Sequence, residues 1–438
     1  MRPFKLKIMK KLNTILNLLV MLVTTVVIAQ QTPGTPQTEP ISIIGGTAHI
    51  GNGQLINNAT IVFENGIITA IGGPEITTKG QLIDATGKDI YPGFIALSTS
   101  LGLIEIDAVR ASDDEDEIGE LIPHVRSQIA YNAESKVVES MRPNGILVAQ
   151  VSPKGGIISG ASSVMQLDAW NWEDATILAD DAIHLNWPNS FSNGRWWLGE
   201  EPGLKTNKNY PKQIQQLKEF LAQAQAYNKV SNTNRNQVFE ATAGLFDGTQ
   251  FLYINADTEQ EIIDAVKTSK GFGIHRIVIV GGTMSYKITE FLKKNKISVA
   301  VAATHKLPPS EDADYDFYYK LPKLLLDAGI QVGIHTMDKD NFQTRNLPFF
   351  AGQVVGQGID KEQALQLISL NPARMLGIDK NYGSLEQGKS ATLFISKGDA
   401  LDMQGNQLEH AFIDGRSVSL ETHQTELYHR YSSKFGHH

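Results

Sequence analysis

The stretch that decides the fold is FLYINADTEQEIIDAVKTSKGFGIHRIVIV, residues 251–280. It opens with an apolar β-like run, Phe251–Ile254, and continues with an amphipathic helical segment, Glu259–Lys270. It ends in a second apolar run, Ile277–Val280. A strand, a helix and a strand in this order predict two parallel strands of one sheet, joined by a right-handed crossover.

The same alternation continues in both directions, from Pro92 to about Leu376. Further buried-strand patterns occupy Ile146–Val151, Val299–Ala303 and Gln331–Ile334. Further helical patterns occupy Tyr286–Lys294, Phe317–Ala328 and Lys361–Leu376, the last interrupted late by Asn371-Pro372. We therefore predict an α/β fold in the centre of the chain, either a barrel or a doubly wound parallel sheet.

The two ends of this region have a different pattern, with short β runs separated by Gly and Asn turns. Before the centre these runs include Ala59–Glu64 and Ile67–Ile71, with the hairpin dipeptide Asn65-Gly66 between them. After the centre, short strands return over Gly383–Ser419. We expect the two ends to pair with each other in one small β domain.

The N-terminus has the pattern of a signal peptide. Arg2, Lys5, Lys7, Lys10 and Lys11 form a basic region, and Ile15–Ala29 then runs fifteen residues without a charge. This apolar run is short for a membrane span, which needs about 20 residues. We predict a cleaved signal peptide over residues 1–29, a flexible lead-in over 30–40, and an exported, periplasmic protein without stable membrane insertion. An uncleaved membrane anchor is the alternative.

The absence of cysteine and the net negative charge exclude or disfavour several classes of protein. The 438 residues contain no cysteine, which excludes disulfide scaffolds, thiolate zinc sites, cysteine nucleophiles and a lipoprotein anchor. The net charge of −8 argues against nucleic acid as a partner, and loss of the five basic leader residues would make it −13.

Five motifs lie at the two ends of the α/β region: ENGIITAIG (64–72), IDATGK (83–88), YPGFI (91–95), NPARMLG (371–377) and GSLEQGKSA (383–391). In combination they resemble the entry and exit of the barrel in the amidohydrolase superfamily, most closely its imidazolonepropionase-like branch. The resemblance implies a distorted (β/α)8 TIM-type barrel over residues 91–380. It also implies a β-sandwich built from residues 41–90 and 381–430, and an ancestral metal-dependent hydrolysis of C–N bonds in amides.

The implied metal ligands are substituted in this chain. The His-x-His pair that the family has after the Pro-Gly-Phe-Ile stretch falls on Ser98 and Ser100. The fifth-strand histidine falls on Asn255, the sixth-strand histidine near Val280, and the eighth-strand aspartate at about Met337. A shift of one residue would place that aspartate at Asp338, but a lone carboxylate is not a metal site. A working metal centre needs imidazoles and carboxylates, so we expect none here. The sequence thus predicts a pseudoenzyme that binds a small-molecule ligand or serves as a partner subunit.

An enzymatic alternative uses other residues. His305 and His335 follow the seventh and eighth predicted strands, and Asp338 lies close by, so these three could act as an acid–base group in a hydrolase of C–N bonds. Ser98, Ser100, Asn255 and Lys306 are then candidate substrate-binding residues. A histidine hydrogen-bonded at a strand end is the favoured reading, and a divalent metal such as zinc at an atypical site is a third. We expect a homo-oligomer, or a hetero-oligomer with an active relative.

A glycine-rich segment, a tryptophan-rich segment and an acidic run could each have a structural or a functional role. Gly155–Gly160 is glycine-rich but lacks the ending of a phosphate loop, which favours a tight βα loop. All five tryptophans lie within Trp170–Trp197, as a pocket wall or as the core of an insertion. The acidic run Asp113–Glu117 lacks the spacing of a calcium loop and predicts a solvated loop or helix start.

Overall fold

A computed structural model describes residues 32–194, 196–199, 201, 203–230, 234–337 and 341–436. The predicted signal peptide, Asp338 and the terminal pair His437-His438 therefore lie outside the described residues. From Gly34 onward, the internal contacts of the chain define one unit. No helix in the described part is long and apolar enough to cross a membrane.

The strands, in chain order, are β1 (Ile41–His49), β2 (Leu55–Glu64), β3 (Ile67–Gly72), β4 (Gln81–Asp84), β5 (Asp89–Pro92), β6 (Phe94–Thr99), β7 (Ile146–Val151), β8 (Ile158–Gln166), β9 (Thr176–Asn186), β10 (Phe191–Asn193), β11 (Leu204–Thr206), β12 (Phe251–Ala256), β13 (Ile277–Gly281), β14 (Ser298–Val301), β15 (Val332–Ile334), β16 (Leu393–Ser396), β17 (Leu408–Ile413) and β18 (Arg416–Ser417).

The α-helices are α1 (Ser127–Ala130), α2 (Lys136–Glu139), α3 (Trp172–Ala175), α4 (Tyr210–Asn228), α5 (Gln237–Glu240), α6 (Ala243–Asp247), α7 (Glu259–Gly271), α8 (Thr289–Asn295), α9 (Phe317–Asp327), α10 (Leu347–Val355), α11 (Lys361–Gln366), α12 (Leu370–Leu376) and α13 (His423–Phe435).

Strands β6–β9 and β12–β15 form the central eight-stranded sheet in the order β15-β14-β13-β12-β9-β8-β7-β6. It is a nearly closed barrel, because Thr336 N donates to Leu97 O (3.3 Å) where the two edge strands meet. Every neighbouring pair is parallel except those of β8, which runs antiparallel to β7 and to β9. The expected α/β barrel is thus present, with one strand reversed.

The reversed strand corrects the reading of Gly155–Gly160. The first half of this segment belongs to the connection between antiparallel β7 and β8, with Gly155 and Gly156 at φ values of 81° and 56°, and Ile158–Gly160 begin β8, so the segment is not a βα loop. Because the chain turns straight back, the second strand needs no crossover helix. Short glycine-rich connections look alike in sequence whether a strand or a helix follows.

Strands from both chain ends form a second eight-stranded sheet, as expected, which we call the terminal sheet. Its order is β18-β17-β16-β5-β1-β2-β3, with β4 paired to β1. The Asn65-Gly66 dipeptide joins β2 to β3, and its two positive φ values, 51° and 79°, fit a type I′ hairpin turn. The apolar faces of these strands bury their own core, which includes Ile43, Phe63 and Phe412. The two chain ends thus form one sheet, and a sandwich of two sheets stays a prediction.

The helices mostly follow their predicted bounds. The α7 helix begins with a capping box in which the Thr258 hydroxyl accepts from Glu261 N and the Glu261 carboxylate accepts from Thr258 N. The segment expected as one helix to Leu376 is two, α11 and α12. The break falls before Leu370 because Pro372 lies in the first turn of α12, where a missing N–H costs nothing.

Candidate functional site

A cavity of about 270 Å³ opens at the carboxyl ends of the barrel strands, the usual place for sites in such folds. Its lining comes from most of the strands and from the β7–β8 connection. The described lining residues are Ser98, Pro153, Lys154, Gly155, Ser159, His184, Leu185, Asn186, Tyr253, Asn255, Val280 and Met337.

The strand register explains why residues far apart in sequence meet here. Asn255 pairs with Asn186 on one neighbouring strand and with Val280 on the other, so these three occupy one level of the barrel mouth. Ser98 and Met337 reach the same cavity from the two strands that close the barrel. The four positions Ser98, Asn255, Val280 and Met337 therefore line a single cavity.

Ser98 is fully buried and has a backbone φ of 40°, a left-handed conformation that is rare for a residue with a side chain. Its backbone N–H and its hydroxyl both donate to Gln150 Oε1, at 3.1 and 3.3 Å. Unusual backbone conformations of this kind cluster at ligand sites, where surrounding contacts hold them in place.

Behind Ser98 lies a buried carboxyl group. Gln150 Nε2 donates to Asp181 Oδ2 (2.7 Å), and the Ser162 hydroxyl donates to Asp181 Oδ1 (2.8 Å). Burial raises the pKa of Asp181 to about 7, because the hydrogen bonds from Ser162 and Gln150 only partly offset the cost of an ionised carboxylate inside the barrel. Asp181 and Gln150 thus support the cavity floor through Ser98.

His184 is the imidazole of the cavity lining. His184 is 7% exposed, and its Nε2 atom has no hydrogen-bond partner among the described residues. Its ring lies 5.2 Å from that of Tyr253, centroid to centroid. Burial lowers the pKa of His184 to about 3, so the imidazole is neutral near pH 7. A buried polar atom without a partner costs free energy that a ligand could recover.

Two amides shape the wall beside it. Asn186 Nδ2 donates to Gly155 O (3.2 Å) and Gly156 O (2.9 Å), which fastens the β7–β8 connection to the barrel mouth. Asn255 Nδ2 donates to Asn186 Oδ1 at a long 3.4 Å, and Asn255 is itself exposed. Asn255 thus presents an amide to the open side of the cavity.

Of the sequence-predicted site residues, the structure brings Ser98 and Asn255 together in this cavity. Ser100 is buried nearby on the chain. His305 contacts the rings of Phe350 and Tyr319 edge-on, with centroids 5.1 and 6.1 Å apart.

Two more of the predicted site residues, Lys306 and His335, follow strands β14 and β15 at the same end of the barrel. The Lys306 ammonium lies over the Tyr318 ring at 5.1 Å. His335 is buried at the end of β15, where its Nδ1 accepts from Met337 N (3.2 Å). Because Asp338 lies outside the described residues, its grouping with His305 and His335 stays a prediction.

The side chains of the cavity do not fit a hydrolytic metal. Such a site uses about three imidazole or carboxylate ligands, and in the described lining His184 is the one side chain of either kind. Across the described residues, no three His, Asp or Glu side chains lie together in a way that could hold a metal ion.

Sequence reasoning missed His184, Gln150 and Asp181. They lie on β7 and β9. Strand β9 lies within the tryptophan-rich segment 170–197, for which the sequence pattern predicts no strand. The structure also separates those tryptophans: Trp172 begins α3 before β9, and Trp187 follows the end of β9. An eleven-residue strand spans about 36 Å, so these rings cannot form one cluster.

Comparison with known proteins supports the fold. Residues 255–420 match the family model for the amidohydrolase family. An amidohydrolase from Thermotoga maritima MSB8 is similar at 21% identity and a TM-score of 0.76, over 86% of this chain and 99% of that one. No curated protein matches the sequence.

Two further solved structures share the fold at lower similarity. A putative prolidase from Bifidobacterium longum is 16% identical with a TM-score of 0.53, over 87% of this chain and 95% of that one. A Xaa-Pro dipeptidase with methionine bound in its active site is 14% identical with a TM-score of 0.54, over 87% and 100%. These solved structures therefore share the fold of this chain. The amidohydrolase family domain at residues 255–420 covers barrel strands β13–β15 and continues into strands β16–β18 of the second sheet.

Proposed function

We propose that the chain as a whole is an amidohydrolase-superfamily protein of the imidazolonepropionase-like branch that binds a small molecule without hydrolysing it. One observation carries the proposal: four of the five positions at which the family resemblance places metal ligands line one cavity. These four hold Ser98, Asn255, Val280 and Met337, while the fifth, Ser100, is buried nearby and does not line it. Convergence of these positions on one cavity supports the assignment of ligand positions made from sequence.

The chemistry of these four side chains argues against catalysis by a bound metal. Valine has no donor atom, and serine and asparagine are neutral oxygen ligands that suit zinc poorly. The remaining polar groups, led by His184, are suited to hydrogen bonding with a ligand. Keeping a shaped, polar cavity after losing the metal ligands favours retention of binding.

Metal analysis combined with an activity assay tests the proposal. Purified protein is dialysed against trace zinc, manganese and iron, and its metal content is measured, followed by hydrolysis assays on a Xaa-Pro dipeptide and an N-acetylated amine. We expect metal far below one ion per chain and no hydrolysis above the rate without protein. Near-stoichiometric metal together with hydrolysis would overturn the proposal.

The second candidate is a hydrolase of C–N bonds with an atypical site. It is favoured by the position of His335, which hydrogen-bonds the backbone of the cavity residue Met337, next to Asp338 in sequence. If hydrolysis is observed, His335→Gln and Asp338→Asn should abolish it while His275→Gln, a change on the segment before β13, should not. This pattern would establish the enzyme.

We also propose that the protein is exported to the periplasm after cleavage near Ala29, and that it forms a homo-oligomer or pairs with an active relative. The basic leader followed by an uncharged apolar run supports export. N-terminal sequencing of protein from the periplasmic fraction tests the first proposal. A mature start close to Gln30 is expected, and an intact Met1 would contradict it. Light scattering tests the second, and a monomer that no active relative captures would contradict it.

A further inference from the structure

A strongly acidic segment lies beside the cavity. We call residues 104–120 the acidic strap: it contains eight carboxylates and one arginine, a net charge of −7. Arg110 pairs with Asp116 at 3.0 Å and approaches Asp113 at 3.6 Å. The described ion pairs leave five carboxylates of the strap without a cation, those of Glu105, Asp107, Asp114, Glu117 and Glu120.

The strap is fixed along the wall of the cavity. Lys154 N donates to Glu115 O (2.6 Å), and the Lys154 ammonium lies 2.7 Å from Glu115 Oε2. Farther along, Ile157 N and Ile158 N both donate to Glu120 O, at 2.7 and 2.9 Å. Since Lys154 and Ser159 line the cavity, the strap is attached next to the lining at Glu115 and Glu120, and its net negative charge acts on the cavity from there.

The interior of the cavity is close to neutral by contrast. Among the described lining residues, Lys154 alone carries a formal charge near pH 7, and Glu115 neutralises it. His184 and Asn255 offer uncharged hydrogen-bonding groups. The unpartnered Nε2 of the buried His184 is a second observation, independent of the strap, that points to a ligand in this cavity.

We infer that the cavity takes a small organic monocation, with an uncharged hydrogen-bonding group inside against His184 and Asn255 and its ammonium or guanidinium group at the acidic strap. The inference rests on the proposed binding function and names its ligand class. A rim of like charges attracts cations and repels anions over about 10 Å at 0.1 M salt. An anionic ligand of the same shape is therefore disfavoured.

Three probes of matched shape test the charge preference. They share an acetamide group and an alkyl chain: N-acetylputrescine is a monocation, N-butylacetamide is neutral, and N-acetyl-γ-aminobutyrate is an anion. Binding to the full chain is measured by titration calorimetry or ligand-observed NMR at low and high salt. We expect the monocation to bind at least about tenfold more tightly than the anion at low salt, with the difference shrinking at high salt.

Variants test which residues bind the charged end of the ligand and which bind its uncharged end. Asp114→Asn with Glu117→Gln removes two exposed charges from the strap and should weaken binding of the monocation about three- to tenfold, leaving the neutral probe unchanged. Glu75→Gln with Asp402→Asn removes two exposed charges from connections of the terminal sheet, after β3 and between β16 and β17, and should change the binding of neither probe. His184→Leu should weaken both the monocation and the neutral probe about tenfold.

Equal affinity for the monocation and the anion, or no binding of the monocation, overturns the inference. If the neutral probe still binds in a way that needs His184, the binding function stands without the charge preference. Metal-dependent hydrolysis of the amide bond would instead overturn the proposed function itself.

Discussion

Single buried charges connect parts of this chain that are far apart in sequence. Asp168 Oδ1 accepts from Arg142 (2.5 Å), while its Oδ2 accepts from Arg416 (3.2 Å) and from Gly34 N (2.8 Å). One carboxylate thus joins the barrel, the terminal sheet and the segment that leads into it. The importance of Asp168 depends on three partners that no local sequence pattern reveals.

Asp168→Asn should therefore be strongly destabilising. The change keeps the shape of the side chain but leaves the Arg142 and Arg416 guanidinium groups without their shared counter-charge, at a cost of about 3–5 kcal/mol in the free energy of unfolding. Urea denaturation measures it. Asp327→Asn, which breaks the exposed Lys323–Asp327 pair (2.7 Å), is the matched control and should cost less than about 0.5 kcal/mol. Equal losses in the two variants would contradict this role.

A second buried charge makes stability depend on pH. His49 stacks on Tyr91, with centroids 4.3 Å apart, and its Nδ1 lies 2.6 Å from Glu362 Oε1. Burial alone would lower the pKa of His49, but the carboxylates of Asp89 and Glu362 outweigh it and raise the pKa to about 9. The histidine nearest the start of the structure therefore has a structural role.

The pKa shift of His49 fixes the sign of the pH effect. Because the folded-state pKa exceeds the unfolded value of about 6.5, the stabilisation is fully present below pH 6.5 and is lost as pH rises through 9. The loss is at most about 3 kcal/mol. We expect denaturant unfolding to show a decline in stability between pH 6 and pH 9.5 that His49→Gln flattens. An unchanged slope in this variant would place the titration elsewhere.

At the scale of elements, the β7–β8 connection decides the shape of the candidate site. It holds the acidic strap on one side and the Asn186 amide on the other, and two of its residues are glycines with positive φ. A Cβ added at Gly156 would lie 2.6 Å from Gly119 O, a backbone atom of the strap. Contact between the two segments therefore requires glycine at this position.

Gly156→Ala should detach the strap. We expect faster tryptic cleavage after Arg110, and weaker binding of any ligand that depends on the strap, because the two backbones can no longer approach. Gly248→Ala is the matched control: it has a φ of 82° but no atom within 4 Å of the added Cβ, so it costs only about 1 kcal/mol of backbone strain. If Gly156→Ala is cleaved at the same rate as Gly248→Ala and the wild type, the strap is held by other contacts.

At the scale of the whole molecule, the barrel and the terminal sheet share hydrogen bonds. Gly93 N donates to Thr392 O (2.9 Å), and strand β5, next to the first barrel strand, pairs with β16 near the other end of the chain. The domain bounds predicted at residues 91 and 380 cut through these contacts. Folding of the barrel should therefore require both ends of the chain.

A fragment of residues 91–380 should fail to fold cooperatively. It loses Gly34 and Arg416 from around the buried Asp168, and it exposes the face of Phe94 that contacts Phe394 with centroids 5.0 Å apart. Circular dichroism during denaturation should show a broad transition, while a chain that starts at Gln30 should unfold sharply. A fragment with a sharp transition and a monomeric gel-filtration peak would establish the barrel as an autonomous domain.

The sequence by itself determined the alternation of strands and helices from β12 to β15 and the hairpin at Asn65-Gly66, because periodicity and turn chemistry act within a few residues. It also indicated the pairing of the two chain ends, because short β runs lie on both sides of the α/β centre. The family resemblance also singled out Ser98 and Asn255 as candidate substrate-binding residues, and both line the cavity.

Only the tertiary structure decided which polar groups meet. The reversal of β8, the buried His184 and the support of Ser98 by Gln150 and Asp181 depend on strand register across the barrel. The position of the acidic strap depends on backbone pairing with a loop more than thirty residues away. Local sequence patterns indicate which face of a strand is buried. These contacts join residues that are far apart along the chain, and no local pattern predicts which distant residues will meet.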